Sequence, residues 1–225
     1  GLGAGKRLQS TPSPQSPARK SRKGLLYVIS APSGAGKTSI CRAILTLLPN
    51  LRQSISYTTR AMRSGEQEGR DYHFVSKETF ETMVAGGEFA EWAEVHGNCY
   101  GTALKTLTNA SEAGADVLLD IDFQGADQLR NSDLDGVFLF ILPPNMEELL
   151  SRLESRNTDD EETIARRMTN AIGEIAESVK FDYIVVNDIL EQAVEKVRAI
   201  MLAETLRSDR VLKTLPEEFG LNLKS

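Results

Sequence analysis

The run "LLYVISAPSGAGKTSICRAILTLL", residues 25–48, constrains the fold more than any other part of the chain. It opens with "LLYVIS" (25–30), a continuous apolar, β-rich segment of the kind found in strands buried on both faces. A glycine-containing stretch, "SAPSGAGKTS" (30–39), follows it, and apolar residues then recur at helical spacing up to Pro49. Strand, glycine loop and helix in that order make the frame of a phosphate-binding P-loop. Gly34 and Gly36 let backbone N–H groups converge on phosphate oxygens with no Cβ in the way. Lys37 is expected to reach the β- and γ-phosphates, the Thr38 hydroxyl to ligate Mg²⁺, and the helix to add its positive end. The nucleotide-phosphate stretch is thus Ser33, Gly34, Ala35, Gly36, Lys37, Thr38 and Ser39. One departure stands out: the strict pattern has Gly where this chain has Ala31.

Three more segments read as buried strands: "ADVLLDID" (115–122), "GVFLFIL" (136–142) and "DYIVVND" (182–188). Helical patterns separate them over 124–131, 145–155 and 160–179, and a last one covers 189–207. Buried strands alternating with helices predict an α/β fold, a parallel core sheet flanked by helices on both faces. Residues 24–52, 115–150 and 171–210 form that core in this reading. Residues 53–114 mix short strands ("SISYTT", "DYHFVS", "FAEWAEVH") with helices over 77–85 and from Ala103. They read as an insertion beside the sheet's carboxyl edge. The segment 151–170, "SRLESRNTDDEETIARRMTN", is heavily charged and has the composition of a mobile lid. Residues 211–225 are a C-terminal tail.

Charge is unevenly spread. Residues 1–23 hold six Lys and Arg and no acid, which leaves 20 Lys and Arg against 32 Asp and Glu in the body, a formal −12. An acidic body argues against nonspecific nucleic-acid binding and puts any anion site in a local arginine cluster. The tail "GLGAGKRLQSTPSPQSPARKSRK" has little to bury and reads as disordered, or as a remnant of expression. Its "GLGAGK" imitates a phosphate loop but lacks a preceding strand. No apolar run is long enough to span a membrane. Cys41 and Cys99 are too few for a disulfide framework or a thiolate cage, and with only His73 and His96 a transition-metal site is not expected. A reducing cytoplasm suits this composition.

Two further features bear on chemistry. "VLLDID" ends in carboxylates where a P-loop protein holds Mg²⁺, often through water. Asp120 and Asp122 would point to opposite faces of a continuing strand, so they should not share one task; one of them also fits a helix N-cap. The stretch "TTRAMRSGEQEGRDYHF" (58–74) places Arg60 and Arg63 in a glycine-containing loop with Tyr72 close behind. That arrangement makes a forked cradle for a second phosphate, although taken alone it also fits a solvated basic loop.

The motifs "APSGAGKTS", "SYTTRAMRSGEQEGRDYHFVS", "EFAEWAEVHGNCYGT", "VLLDIDFQGA", "ESRNTDDEETIARRM" and "DYIVVND", in this order, resemble the guanylate kinase family, over essentially everything from Leu25 to about Leu206. The resemblance implies Mg²⁺-dependent phosphoryl transfer from ATP to GMP, with 53–114 as the GMP-binding insertion. By resemblance, Arg60, Arg63, Tyr72 and Tyr100 bind the GMP phosphate; Ser56, Glu91 and Thr102 surround guanine; and Asp122 lies near the nucleoside. Arg156 and Arg167 match the lid arginines, and Asn187 a position near adenine. Lys37, Arg60, Arg156 and Arg167 are then the charge-screening catalytic residues, and Thr38 and Asp120 the metal side. Thr102 stands where the family often has Ser, and Cys99 where a second aromatic is common. Two alternatives are a different nucleoside monophosphate kinase on the same core and a non-catalytic guanylate-kinase-like interaction module. The partners implied are ATP and GMP, and the chain can also associate into homo-oligomers.

Overall fold

The computed structural model describes residues 22–95, 97–155 and 160–215. The chain runs β1 (Leu26–Ser30), α1 (Lys37–Leu47), β2 (Leu51–Gln53), β3 (Tyr57–Thr58), β4 (His73–Phe74), α2 (Lys77–Ala85), β5 (Phe89–Val95), β6 (Asn98–Ala103) and α3 (Leu104–Glu112). It continues through β7 (Asp116–Asp120), α4 (Phe123–Arg130), β8 (Gly136–Leu142), α5 (Met146–Glu154), α6 (Glu161–Ala176), β9 (Tyr183–Val186), α7 (Leu190–Thr205) and the short α8 (Ser208–Val211).

Five strands form a sheet in the order β2-β7-β1-β8-β9, and every neighbouring pair is parallel. The α/β fold with a parallel core sheet is therefore as expected. Side-chain alternation along β1 explains why both faces are covered. Tyr27 and Ile29 join one core with α1 and α7, through Ile40, Ile44, Val194, Val197 and Met201. Leu26 and Val28 join the other with α3 and α4, through Leu107, Ala126 and Leu129. Each fully buried Leu, Ile or Phe contributes about 1.5–3 kcal/mol, so these two layers carry most of the stabilisation. Tyr27 keeps its hydroxyl satisfied by donating to the Met201 carbonyl at 2.9 Å.

A second sheet, ordered β4-β3-β6-β5, is mostly antiparallel. It is narrower than the sequence suggests: "SISYTT" and "DYHFVS" contribute only two strand residues each. Two strands escape sequence reading altogether. β2 is a three-residue edge strand with two exposed positions, and β6, "NCYGTA", carries Asn and Gly. Neither has an apolar period, because β2 pairs on one side only and β6 derives its order from β5 and β3. A packed aromatic pair, Phe80 against Phe89 at 4.6 Å between centroids, roots α2 on this sheet. Gly101 in β6 faces that pair, where an added Cβ would lie 2.9 Å from Phe89.

Strand β7 stops at Asp120. The alternation that would send Asp120 and Asp122 to opposite faces therefore does not run through Asp122, which instead begins α4 as its N-cap.

Candidate active site

The loop between β1 and α1 turns tightly at the carboxyl edge of the parallel sheet, with Gly34 and Gly36 at φ 89° and 91°. Both values lie in the left-handed region that glycine alone enters readily. Gly36 is further constrained by Asn187: an added Cβ would sit 2.3 Å from Asn187 Nδ2. That amide, 5% exposed just beyond β9, donates to the Ala35 carbonyl at 2.8 Å. Arg152 on α5 donates in turn to the Asn187 carbonyl at 3.1 Å and to Glu148 at 2.9 Å. Asn187, an expected ATP residue, thus has its side chain committed to bracing the phosphate loop. Ser33, Thr38 and Ser39 are exposed along it.

Lys37 reaches across to the end of β7. Its Nζ lies 2.7 Å from Asp120 Oδ1 and donates to the Ile121 carbonyl at 3.0 Å. Asp122 accepts from Gly125 N–H at 2.9 Å, the ordinary N-cap bond. Glu174 on α6 is a neighbour that sequence reading missed. Burial pushes its carboxyl up, while Lys37 and the Ser33 N–H pull it down and Asp122 pushes it further up. It sits in a charged helix, and nothing in its spacing announces it.

The residues expected to cradle a second anion gather around β3, β4 and β6. Arg60 forms a fork with Glu66 at 2.7 and 3.1 Å, and its guanidinium stands 5.4 Å from the Tyr72 ring centroid. Tyr72 and Tyr100 meet edge to face at 5.9 Å. Glu66 also accepts from the Arg63 backbone N–H at 2.8 Å, while the Arg63 side chain is exposed. The hydrogen bonds from Arg60 and then from Arg63 hold the Glu66 carboxyl below its usual range. Burial pushes the Tyr72 phenol up, and Tyr100 adds to that. The Glu66 partnership was not foreseen; its i, i+6 spacing from Arg60 has no meaning until the loop closes.

Glu91 lies on the buried side of β5, where burial alternates with exposed Trp92 and Glu94. It is 5% exposed, and the wholly buried Thr102 hydroxyl donates to its Oε1 at 2.5 Å. Burial outweighs that bond and raises the carboxyl to about 7, with Asp122 contributing in the same direction. Ser56 is half-buried just before β3, its carbonyl accepting from His73 N–H at 2.9 Å. Arg167 is on α6 and half-buried; Arg156 lies outside the described residues.

Phosphate loop, arginine–tyrosine cradle and buried carboxylate thus come from different elements that meet around the carboxyl edge of the sheet. A separate cavity of about 820 Å³ opens at the opposite, amino edge, lined by Leu25, Leu107, Leu206 and Val211 among others. Its Arg22 is already paired with Asp116 at 2.7 Å. Among the described residues no group of three or more His, Cys, Asp or Glu could cage a metal, and no helix is long and apolar enough to cross a membrane.

A family model described as guanylate kinase matches residues 23–204. A guanylate kinase from Syntrophotalea carbinolica is 57% identical over 203 residues, covering 90% of this chain and 97% of that protein. One from Geobacter metallireducens is 53% identical, covering 89% and 98%. The crystal structure of guanylate kinase from Anaplasma phagocytophilum superposes with a TM-score of 0.68 at 35% identity, covering 84% of this chain and 90% of that one. Sequence, fold and the nearly full-length match agree: this chain belongs to the guanylate kinase family.

Proposed function

We propose that the chain transfers the γ-phosphoryl group of ATP reversibly to the phosphate of GMP, giving ADP and GDP. The observation that carries this reading is the buried Glu91 carboxylate, one oxygen on Thr102 and the other close against the bare helix backbone at Gly125. Guanine presents N1–H and the 2-amino group side by side, and one carboxylate accepts from both. Adenine lacks that donor pair and would leave Glu91 unsatisfied. Polar complementarity of this kind discriminates by roughly 10⁴ or more.

A GMP phosphate oxygen attacks the γ-phosphorus, the bond to the β,γ-bridging oxygen breaks, and its electron pair leaves with ADP. No protein atom bonds covalently. The residues position two polyanions and screen their repulsion. The loop amides from Ser33 to Ser39 and the Lys37 ammonium hold the ATP phosphates, with Asn187 bracing the loop from below. Arg60, Arg63, Tyr72 and Tyr100 hold the GMP phosphate, and Ser56, Thr102 and Asp122 flank the nucleoside with Glu91. Arg156 and Arg167 serve as lid arginines that neutralise charge on the group in transit. Residues 53–114 close over GMP and 151–170 over ATP, which keeps water from the phosphoryl group.

The donor set suits Mg²⁺. Thr38 and Asp120 are hard oxygen donors beside a phosphate loop, and Mg²⁺ takes most other ligands from phosphates and water. When bound, it neutralises charge on the ATP phosphate oxygens. Cys41 and Cys99 are free thiols, which fits a reducing cytoplasm.

The test is coupled detection of ADP with ATP, Mg²⁺ and GMP, AMP, CMP or UMP in parallel. GMP alone should turn over efficiently, and equal turnover of AMP would overturn the base-reading role of Glu91.

A further inference from the structure

Helix α4 lies against β5, and two of its residues touch the neighbourhood of Glu91 in different ways. Gly125 is buried one turn into the helix, and a Cβ built there would lie 2.6 Å from Glu91 Oε2 and 3.2 Å from Glu91 Cδ. Its φ is not positive, so no backbone requirement for glycine exists at this position. Alanine is the better helix former. The reason for glycine is therefore volume: the carboxylate occupies the space a methyl would take. One turn on, Gln128 behaves as a surrogate strand. Its Oε1 accepts from Trp92 N–H at 3.0 Å and its Nε2 donates to the Trp92 carbonyl at 2.6 Å. Trp92 follows Glu91 directly, so this pair of bonds sets how closely β5 approaches the helix.

Thr102 fixes Oε1 from the opposite strand at 2.5 Å. The carboxylate is then defined from two sides: a hydroxyl donor on one oxygen and a wall of bare helix at the other. We infer that Gly125 and Gln128 are positioning residues for the guanine-reading carboxylate, and that α4 thereby sets the enzyme's selectivity for guanine. The inference rests on the base-reading role of Glu91 given above.

The geometry separates selectivity from folding. A new methyl would press on side-chain atoms only, Glu91 Oε2 at 2.6 Å and, less severely, Glu91 Cδ and Ile121 Cδ1 at 3.2 Å, so the protein can accommodate Gly125→Ala by moving the carboxylate and shifting Ile121 slightly. Moving it from 2.6 Å to an ordinary contact means a displacement on the order of 1 Å, which in a positioned site costs up to about 10²-fold.

The experiment compares parent, Gly125→Ala and Gln128→Ala with GMP and with inosine monophosphate, which keeps N1–H but lacks the 2-amino group. In Gly125→Ala, kcat/KM for GMP should fall by roughly 10- to 100-fold, the GMP-to-IMP preference should drop at least about tenfold, and KM for ATP should stay within about twofold. Thermal unfolding should remain cooperative, with the loss in selectivity exceeding any loss in stability. Gln128→Ala should move the same preference in the same direction by less, because water can replace its exposed amide. Adding Glu91→Gln to Gly125→Ala should cost little more than either alone, since both act on one group. A folded Gly125→Ala that keeps the parent's GMP-to-IMP preference overturns the inference, as does a strictly additive double variant. If Gly125→Ala fails to fold, an unchanged preference in Gln128→Ala overturns it instead. A parent with no GMP preference defeats the base-reading role itself, a separate outcome.

Discussion

Replacing Glu91 by Gln should make the empty protein more stable while making it a poorer guanine reader. The carboxyl is raised from an ordinary 4.5 to about 7 by burial, against the pull of Thr102. A raised folded-state pKa means that the folded protein holds this proton more tightly than the unfolded chain. The cost of the charge is absent below about 4.5, grows as pH climbs towards 7, and is complete above 7. At about 1.4 kcal/mol per tenfold change in proton affinity, the full cost is about 3 kcal/mol as an upper figure. Gln keeps the shape and can still accept from the Thr102 hydroxyl, yet never carries the charge. Urea unfolding without nucleotide should therefore show Glu91→Gln more stable than the parent at pH 8, by about 1–3 kcal/mol, and within about 1 kcal/mol of it at pH 5. In the coupled assay the same variant should lose its preference for GMP. A variant less stable than the parent at pH 8, or a stability gap identical at the two pH values, would refute the claim that the buried charge at this position costs more than Thr102 returns.

Three other outcomes follow from the same geometry. In the parent, kcat/KM for GMP should fall by about tenfold per pH unit below pH 7, because protonated Glu91 loses an acceptor; a pH profile with saturating ATP reads this directly. Arg60→Lys should raise KM for GMP by roughly 10- to 100-fold and leave KM for ATP nearly unchanged, since a point charge cannot reproduce the two-pronged guanidinium that meets Glu66 at 2.7 and 3.1 Å. Asn187→Ala should leave the Ala35 carbonyl without its partner, cost about 1–3 kcal/mol in thermal unfolding, and weaken ATP more than GMP in steady-state kinetics.

Much of the architecture was legible because it depends on local pattern. "LLYVIS" and "GVFLFIL" are apolar at nearly every position, and only a strand sandwiched between helix layers needs that. The phosphate loop is equally local: its glycines, Lys37 and the helix behind it are contiguous, so composition and spacing suffice. Helices α5 and α7 lie within two residues of the expected bounds for the same reason. The strands β2 and β6 were invisible because their order comes from partners distant in the chain, β7 for one and β3 and β5 for the other. Asp120 and Asp122 were ambiguous for a related reason. Where a strand ends is a tertiary decision, and it assigned Asp122 to capping α4 and Asp120 to Lys37.

By itself the sequence determined that a parallel sheet carries a glycine- and lysine-bearing loop at its carboxyl edge, and that arginines and tyrosines lie close along an acidic chain. Tertiary structure decided what those groups do to one another: Glu66 in the fork of Arg60, Asn187 beneath the phosphate loop, and a carboxylate set into the space left by Gly125. The physical reason is range. Hydrophobic periodicity and loop chemistry act over a few neighbouring residues, whereas burial of a charge and the room for one carboxylate depend on segments that only folding brings together.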